Sequence, residues 1–522
     1  MMNPGSAKGD LAVARGKVSR RAFIGGVGGI GLSAALPSAS GASAGASSSA
    51  WEDLGARLEG PLLRSGDGEY LTRAVPSALQ YLLDSPSAIA VCPSATDVQR
   101  CIGFARENRV PFAVRGGGHS YSGYSTTSGL LIDMKGMQAV DFDPATREVT
   151  LGAGVLGAQA ATGLRPHGAF VPIGSCPGVG VSGFAMGGGF GWYVRQHGLG
   201  CDSLLEAKVV TADGVLRTCS ATENSDLFWA FRGGGGGNFG VLTQLKMATF
   251  PTTGAVSAAR VTWRGGDPAA VVSSLQEALF DSPPGISLQI DVGATSTLYV
   301  GRSQTPQIRL TLHNFGPASQ IRSLLASTVA IAPPALSLIA DMGFWEAHAF
   351  LEADNLPTTG LWNTKSSFSQ GPLPDAGIST MIKNVATWPG SSMVNAGTAL
   401  TLWSGAVSDV SPDATAFCHR APGLLTVFRT SWGENDPSAL IAKDNAWLQA
   451  AYDDHQPYAL AQSYQNWTDP GLTDYLSAYY GTNLSRLVQV KRAYDPDDVF
   501  VFPQSIPTAL PTAAPPAVLE PA

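Results

Sequence analysis

The stretch Arg115-Gly116-Gly117-Gly118-His119-Ser120-Tyr121 constrains this chain more than any other. Three successive glycines let backbone N–H groups converge on an anion, because no Cβ obstructs the approach. His119 follows at the edge of that loop. Further on, Gly174-Ser175-Cys176-Pro177 sets one cysteine beside a glycine, where its sulfur can reach whatever the backbone encloses. An anion cradle, a nucleophilic imidazole and an accessible thiol together suit a phosphate-bearing cofactor that is also covalently tethered. Either stretch alone reads equally well as an ordinary glycine-rich loop.

The surrounding segment sharpens this. From Val149 to Cys201 there is no Asp or Glu, although acids outnumber bases over the whole chain. A region without carboxylates can lie against an anionic ligand without repulsion, and it also suits a buried, tightly turned sheet. Within it, Gly152-Ala153-Gly154-Val155-Leu156-Gly157 imitates the dinucleotide fingerprint after a strand. The acid that should follow about 20 residues on to hold the ribose is missing, which rejects a nicotinamide site of that type.

A length of 522 residues allows a large core and two or more folding units. The net charge of −7, with no basic cluster beyond the N-terminus, gives no reason to expect nucleic acid or a membrane surface as partner. At the N-terminus, Ser19-Arg20-Arg21-Ala22-Phe23-Ile24 precedes an apolar, glycine-rich run to Leu36 and small residues through Ala44. This predicts an export signal over 1–45, read by the twin-arginine machinery, and a secreted or cell-envelope protein. The run is too short for a stable transmembrane helix. Cys92, Cys101, Cys176, Cys201, Cys219 and Cys418 show no zinc or CxxC spacing, so no metal is expected.

The periodicity predicts strands at Ala88–Pro93, Pro111–Val114, Gly129–Asp133, Glu148–Leu151 and Leu205–Thr211. It predicts a helix from an N-cap at Ser94 through Arg106, and a capped helical turn over Asn224–Phe231. After Pro251 the texture changes. Strands Ile308–Phe315 and Thr398–Val407 alternate with helices Pro268–Phe280 and Ala318–Ile331, which suggests a second α+β domain. A Pro/Ala tail over 509–522 reads as disordered.

In order along the chain stand Arg115-Gly116-Gly117-Gly118-His119-Ser120-Tyr121, Cys176-Pro177-Gly178-Val179-Gly180-Val181, Gly187-Gly188-Gly189-Phe190-Gly191, Val210-Thr211-Ala212-Asp213-Gly214 and Asp226-Leu227-Phe228-Trp229. Tyr464-Gln465-Asn466, Tyr479-Tyr480-Gly481, Lys491, Tyr494-Asp495-Pro496 and Pro503-Gln504-Ser505 follow. Together these closely resemble the berberine-bridge-enzyme-like oxidases, flavoproteins of the vanillyl-alcohol-oxidase fold. The resemblance implies an α+β architecture: a two-part FAD-binding domain over 50–253, a substrate domain with an antiparallel helix-covered sheet over 254–457, and a segment over 458–508 returning to the first.

It also implies FAD, with pyrophosphate against Arg115, Gly116, Gly117, Gly118 and Ser120, and covalent bonds from His119 to the 8α-methyl carbon and from Cys176 to C6. Gly174, Ser175, Val179, Gly180, Gly183, Gly187, Gly188, Gly189, Gly191, Tyr464 and Asn466 complete the implied cofactor site, with adenine near Asp202 to Val209. Two departures stand out. Phe190 occupies a position where many alcohol-oxidising members carry Tyr, and Asp498 one where Asn is common.

The expected activity is oxidation of a hydroxyl, in a sugar or a natural product, to a carbonyl or lactone, with O₂ reduced to H₂O₂. A base must take the hydroxyl proton as hydride leaves. Tyr464 is the candidate, with Tyr121 as helper and Val179 at the family position that gates O₂. Oxidative ring closure, C–N oxidation and transfer to a different electron acceptor are the alternatives. Tyr299, His313, Trp345, Trp362 and Trp403 are candidates for stacking on a substrate, or core aromatics.

Overall fold

The computed structural model describes residues 46–295, 305–353, 359–421 and 423–510. The expected export signal, Tyr299 and residues 511–522 of the expected tail lie outside the described residues.

After a helix over Ser48–Arg57 and a short strand over Leu62–Leu63, the first sheet is built from β1 (Ala88–Val91), α1 (Ala95–Asn108), β2 (Phe112–Arg115) and β3 (Leu130–Asp133), with Leu62–Leu63 antiparallel on the outer edge of β1. β3 runs between the other two strands and parallel to both. β1 and β3 are buried at every position, which matches their unbroken apolar runs. Ser94 caps α1 as expected, its Oγ accepting the Asp97 N–H at 3.4 Å.

A second sheet is antiparallel. It takes β4 (Val140–Asp143), β5 (Glu148–Gly152), β6 (Leu204–Val210), β7 (Leu216–Ser220) and β8 (Val241–Ala248) in the order β4-β5-β8-β6-β7. Because β5 pairs antiparallel on both sides, the fingerprint-like glycines after it sit outside any βαβ unit.

The third sheet has seven strands. Its elements are β9 (Val256–Trp263), α2 (Pro268–Phe280), β10 (Ile286–Gly293), β11 (Gln307–Asn314), β12 (Leu336–Met342), β13 (Leu361–Gln370), α3 (Asp375–Ala386), β14 (Gly397–Trp403) and β15 (Gly423–Trp432). The order is β12-β9-β11-β10-β14-β15-β13, antiparallel throughout. The alternation of strand side chains decides what each face does. Leu288, Ile290, Leu310, Leu312, Leu400 and Leu402 point outward and form one core with Val271, Leu275 and Leu279 of α2 and Ile378, Met381 and Val385 of α3. Gln289, Asp291, Arg309, Thr311 and Ala399, on the opposite face, line the cavity described below.

Three local expectations are corrected. Asn224 does not cap with its side chain; it sits at φ 44° and its amide donates to the Thr218 carbonyl at 2.7 Å. The helix expected over Ala318–Ile331 is two, Ala318–Leu324 and Ala326–Ile331, parted at Leu325. The strand expected to reach Val407 ends at Trp403, with a 3₁₀ turn over Gly405–Val407.

Candidate active site

A cavity of about 1870 Å³ runs from the C-terminal end of α1, past both glycine-rich loops, to the inner face of the seven-stranded sheet. Single small-ligand sites occupy roughly 300–1,000 Å³, so this one has room for a dinucleotide and a substrate together.

The two loops are locked to each other. A Cβ on Gly117 would stand 2.2 Å from the Gly180 nitrogen, and one on Gly180 would stand 2.4 Å from the Gly117 nitrogen. Only glycine permits this backbone-to-backbone crossing. It brings Gly118, His119, Ser120 and Tyr121 into one cavity wall with Gly174, Ser175, Cys176, Val179 and Gly183. Buried His119 Nε2 has no hydrogen-bond partner among the described residues. Burial lowers the pKa of its imidazole, which keeps it neutral and nucleophilic. Burial pushes the Cys176 thiol up to about 11, with Glu352 adding to the effect, so the thiol is protonated at neutral pH.

Tyr464 is 2% exposed yet lines the cavity. Its hydroxyl oxygen accepts three N–H groups: from the backbone of Phe190 at 2.9 Å, the backbone of Gly189 at 3.1 Å and the side-chain amide of Asn466 at 3.1 Å. Gly188 and Gly189, at φ 106° and 92°, adopt backbone angles closed to other residues and turn those two amides inward. A neutral phenol accepts two hydrogen bonds and donates one, so three donors converging on one oxygen favour the phenolate. Burial nevertheless dominates and pushes Tyr464 up to about 12, with the Phe190, Asn466 and Gly189 donors opposing it. Tyr121 stands 5.9 Å from the His119 ring and 5.9 Å from Trp362, ring centroid to centroid. Burial and Cys176 raise its pKa; the Trp467 indole and the Arg429 charge oppose them.

Several expected contacts lie off the cavity. Arg115 faces away from it: the buried guanidinium donates to the carbonyls of Ser125 at 2.8 Å and Ala74 at 3.2 Å, and so pins the loop's base instead of facing an anion. Asp202 is held by Arg420 at 2.8 Å, and Val209 is fully buried in β6. Neither lines the cavity, and nor do Gly187, Gly188 and Gly189; Gly191 lines a small neighbouring void. The cavity's far end is built instead from Arg106, Arg109, Val241, Leu242 and the segment 497–504.

That last segment is held by a buried lysine. Lys491 Nζ contacts Asp495 at 2.6 Å and donates to the Phe500 carbonyl at 2.7 Å, and Asp495 accepts the Phe500 N–H at 2.9 Å. Asp498 sits at φ 52°, a conformation that Asn and Asp tolerate, with its carboxylate 3.0 Å from the same lysine. The sequence motif around Tyr494-Asp495-Pro496 is therefore a clamp on the cavity wall.

Of the proposed stacking residues, Trp362 lines the cavity, and its buried indole N–H has no partner among the described residues. Trp403 is buried, donating to the His419 carbonyl at 2.8 Å, and His313 is packed against Tyr193 and Phe315. Trp345 packs on Phe170 and Phe344 in the core. Sequence reasoning missed Gln289, Asp291, Arg309 and Arg429, all on the inner face of the large sheet. The signal was present as polar residues alternating with the leucines and isoleucines of β10 and β11.

Among the described residues, no helix is long and apolar enough to cross a membrane, and no group of three or more His, Cys, Asp or Glu could hold a metal ion.

The residues that line the cavity fit a flavin dinucleotide: a carboxylate-poor glycine wall, an orphaned neutral imidazole and a volume beyond one small ligand. Comparison with known proteins points the same way. Residues 86–220 match the FAD binding domain family, and residues 463–507 match the family described as berberine and berberine like. The chain is 32% identical over 461 residues to the uncharacterised FAD-linked oxidoreductase YvdP of Bacillus subtilis, covering 86% of this chain and 98% of that protein. It is 28% identical over 482 residues to a xylooligosaccharide oxidase of Thermothelomyces thermophilus, covering 86% and 92%. The solved structure of BBE-like 1 from Physcomitrella patens superposes with a TM-score of 0.79 at 28% identity, over 88% of this chain and 99% of that one. The chain thus belongs to the berberine-bridge-enzyme-like FAD-linked oxidoreductases, enzymes of the vanillyl-alcohol-oxidase fold.

Proposed function

We propose that this protein is an exported oxidase that converts a hydroxyl-bearing carbon, in a sugar or a natural-product alcohol, to a carbonyl or lactone and releases H₂O₂. The observation that carries this reading is the Tyr464 oxygen, set at the cavity wall with three N–H donors on it. That arrangement supports a phenolate that accepts the substrate's hydroxyl proton as hydride leaves the carbon, so that no protonated carbonyl forms. Bound flavin supplies the hydride acceptor and the two-electron reduction of O₂. Tyr121, beside His119 in the same wall, orients the hydroxyl toward Tyr464.

His119 and Cys176 are the proposed tethers. The crossing of their loops at Gly117 and Gly180 supports attachment of one cofactor from two sides. The neutral His119 imidazole needs no deprotonation to act; the Cys176 proton must be removed. Residues 1–45 supply the twin-arginine export signal in this reading. The relative that oxidises xylooligosaccharides favours a carbohydrate substrate. An oxygen-uptake and H₂O₂ screen with oligosaccharides and hydroxylated aromatic metabolites tests the proposal. H₂O₂ released in step with O₂ consumed is the expected result, and flavin reduction without O₂ uptake overturns the oxidase assignment.

A further inference from the structure

Arg195 carries a buried charge that the chemistry above does not use. It lies in the short helical turn Val194–His197 and is 4% exposed. Its guanidinium donates to neutral oxygens around one end of the seven-stranded sheet. Nε donates to the Ser404 Oγ at 3.1 Å, Nη1 to the Ser282 Oγ at 2.8 Å and to the Ile286 carbonyl, and Nη2 to the Ser282 carbonyl at 2.9 Å. Burial lowers its pKa to about 10, which leaves it charged at neutral pH. A buried cation satisfied by neutral oxygens is an expensive way to join two surfaces, and an apolar side chain would join them at less cost. What the guanidinium adds is direction, because its five N–H groups form a rigid planar fork.

The fork grips the sheet at a place that bears on the cavity. Ser282 and Ile286 lead into β10, and Ser404 follows β14; Gln289 pairs with Thr401, so Ile286 and Ser404 stand at the same end of these two strands. Gln289 and Ala399 of the same strands line the cavity. The Arg195 backbone is pressed to that end as well: a Cβ on Gly405, at φ 69°, would stand 2.2 Å from the Arg195 carbonyl oxygen. The turn is also continuous with the loop that serves Tyr464. The Val194 N–H donates to the Gly191 carbonyl at 3.4 Å, and the carbonyls of Gly189 and Gly188 accept from Gly200 at 2.9 Å and Cys201 at 2.8 Å. The loop is thereby closed on itself, and a shift at Arg195 is transmitted to Phe190. The amides of Gly189 and Phe190 are the backbone donors on the Tyr464 oxygen, and the Phe190 ring stacks on Trp403, the residue before Ser404.

We infer that Arg195 is a positioning residue for the proton transfer: by gripping the shared end of β10 and β14, it sets the Gly189 and Phe190 amides on the Tyr464 oxygen. It thereby registers the proton acceptor against the sheet that lines the cavity. The inference rests on the reading of Tyr464 as the base. Arg195 itself touches neither the reacting carbon nor the phenol; it acts through the two amides. Its loss therefore weakens the step in which the hydroxyl proton leaves, and leaves the binding of a substrate on the sheet's inner face largely as it was.

The test uses the FAD-loaded protein and Arg195→Lys, which keeps the charge but replaces the fork with a point cation unable to meet the same oxygens together. Hydrogen–deuterium exchange of the segment 187–193 should quicken by about tenfold, while that of α1 stays unchanged. Stopped-flow flavin reduction by cellobiose should slow by about 10–100-fold at saturation, with the half-saturating concentration within about twofold of the wild type. In a Tyr464→Phe background, Arg195→Lys should cost little more, because the group it positions is gone. Unchanged exchange at 187–193 overturns the inference, and so does an equal loss of rate in both backgrounds, which would make Arg195 a joint unrelated to Tyr464. A Tyr464→Phe protein that reduces its flavin at the wild-type rate removes the base reading instead, and the inference with it. Should Arg195→Lys not fold, Ser404→Ala removes the Nε acceptor alone and carries the same measurements, with smaller shifts in the same directions; their absence overturns the inference. If cellobiose does not reduce the wild-type flavin, the exchange measurement decides.

Discussion

The Tyr464 hydroxyl oxygen accepts the Phe190 backbone N–H at 2.9 Å. Position 190 thus serves the proposed base through its backbone, while its phenyl ring stacks on Trp403 at 5.7 Å. The absence of a hydroxyl at this position leaves Tyr464 as the phenol with donors assembled around it. Tyr464→Phe keeps the ring and removes the proton acceptor. Anaerobic flavin reduction should fall by about 10²–10⁴-fold, with the flavin spectrum retained. An unchanged rate would move the base elsewhere in the cavity.

Asn466→Ala removes one of the three donors and leaves the backbone pair. Donors to the oxygen favour the phenolate, so their loss raises a pKa already pushed up to about 12. The reactive form is the deprotonated one, and the rate of reduction therefore rises with pH. In Asn466→Ala that rise should begin at higher pH than in the wild type. Profiles of flavin reduction against pH that superpose for the two proteins would show the amide to be only structural.

Acid-precipitated protein should keep its yellow chromophore if both tethers form. His119→Ala and Cys176→Ala should each retain it through the remaining bond, and the double variant should release FAD into the supernatant. Complete release from the wild type would remove the tether proposal without touching the oxidase one.

Val179 lines the cavity beside Gly180. If Val179 acts as the proposed O₂ gate, one added methylene there would crowd the space O₂ must enter. Val179→Ile is expected to slow reoxidation by O₂ strongly while anaerobic reduction by substrate stays within about twofold. Equal reoxidation rates would discard the gate.

Asp444 does not line the cavity, and its burial leads to a prediction for stability against pH. It is fully buried, and desolvation pushes its carboxyl up to about 7, against the opposing pull of the Trp388 indole and the Thr430 hydroxyl. A carboxyl whose pKa is higher folded than unfolded contributes stability below its unfolded value near 3.8, and that contribution is lost as pH rises through 7. The wild-type Tm should therefore decline between about pH 4 and pH 7 more than that of Asp444→Asn. The variant should be the more stable of the two at pH 8.

How much of this was legible in the sequence depended on whether the signal was local. The helix at Pro268–Phe280 and the strands around His119 follow from periodicity and punctuation, and they appear within a residue or two of their expected bounds. The pairing of His119 with Cys176 in one wall followed from their glycine settings and the family resemblance. A basic residue beside glycines suggests an anion, but the Arg115 guanidinium bonds to carbonyls from residues 73–75, which no local pattern connects to it. The pairing of Asp202 with Arg420, more than two hundred residues away, was likewise outside any local pattern. The polar face of the large sheet was written in the alternation of β10 and β11, but which face would meet a cofactor depended on tertiary placement.

Because that sheet turns its leucines toward the helices and its polar residues toward the cavity, stability and selectivity sit on alternate letters of the same strands. Gln289 and Thr311 line the cavity, while Leu288, Ile290, Leu310 and Leu312 beside them belong to the core against the helices. A lineage, or an engineer, can thus change what the enzyme accepts while the scaffold that holds Tyr464 and the flavin loops stays as it is.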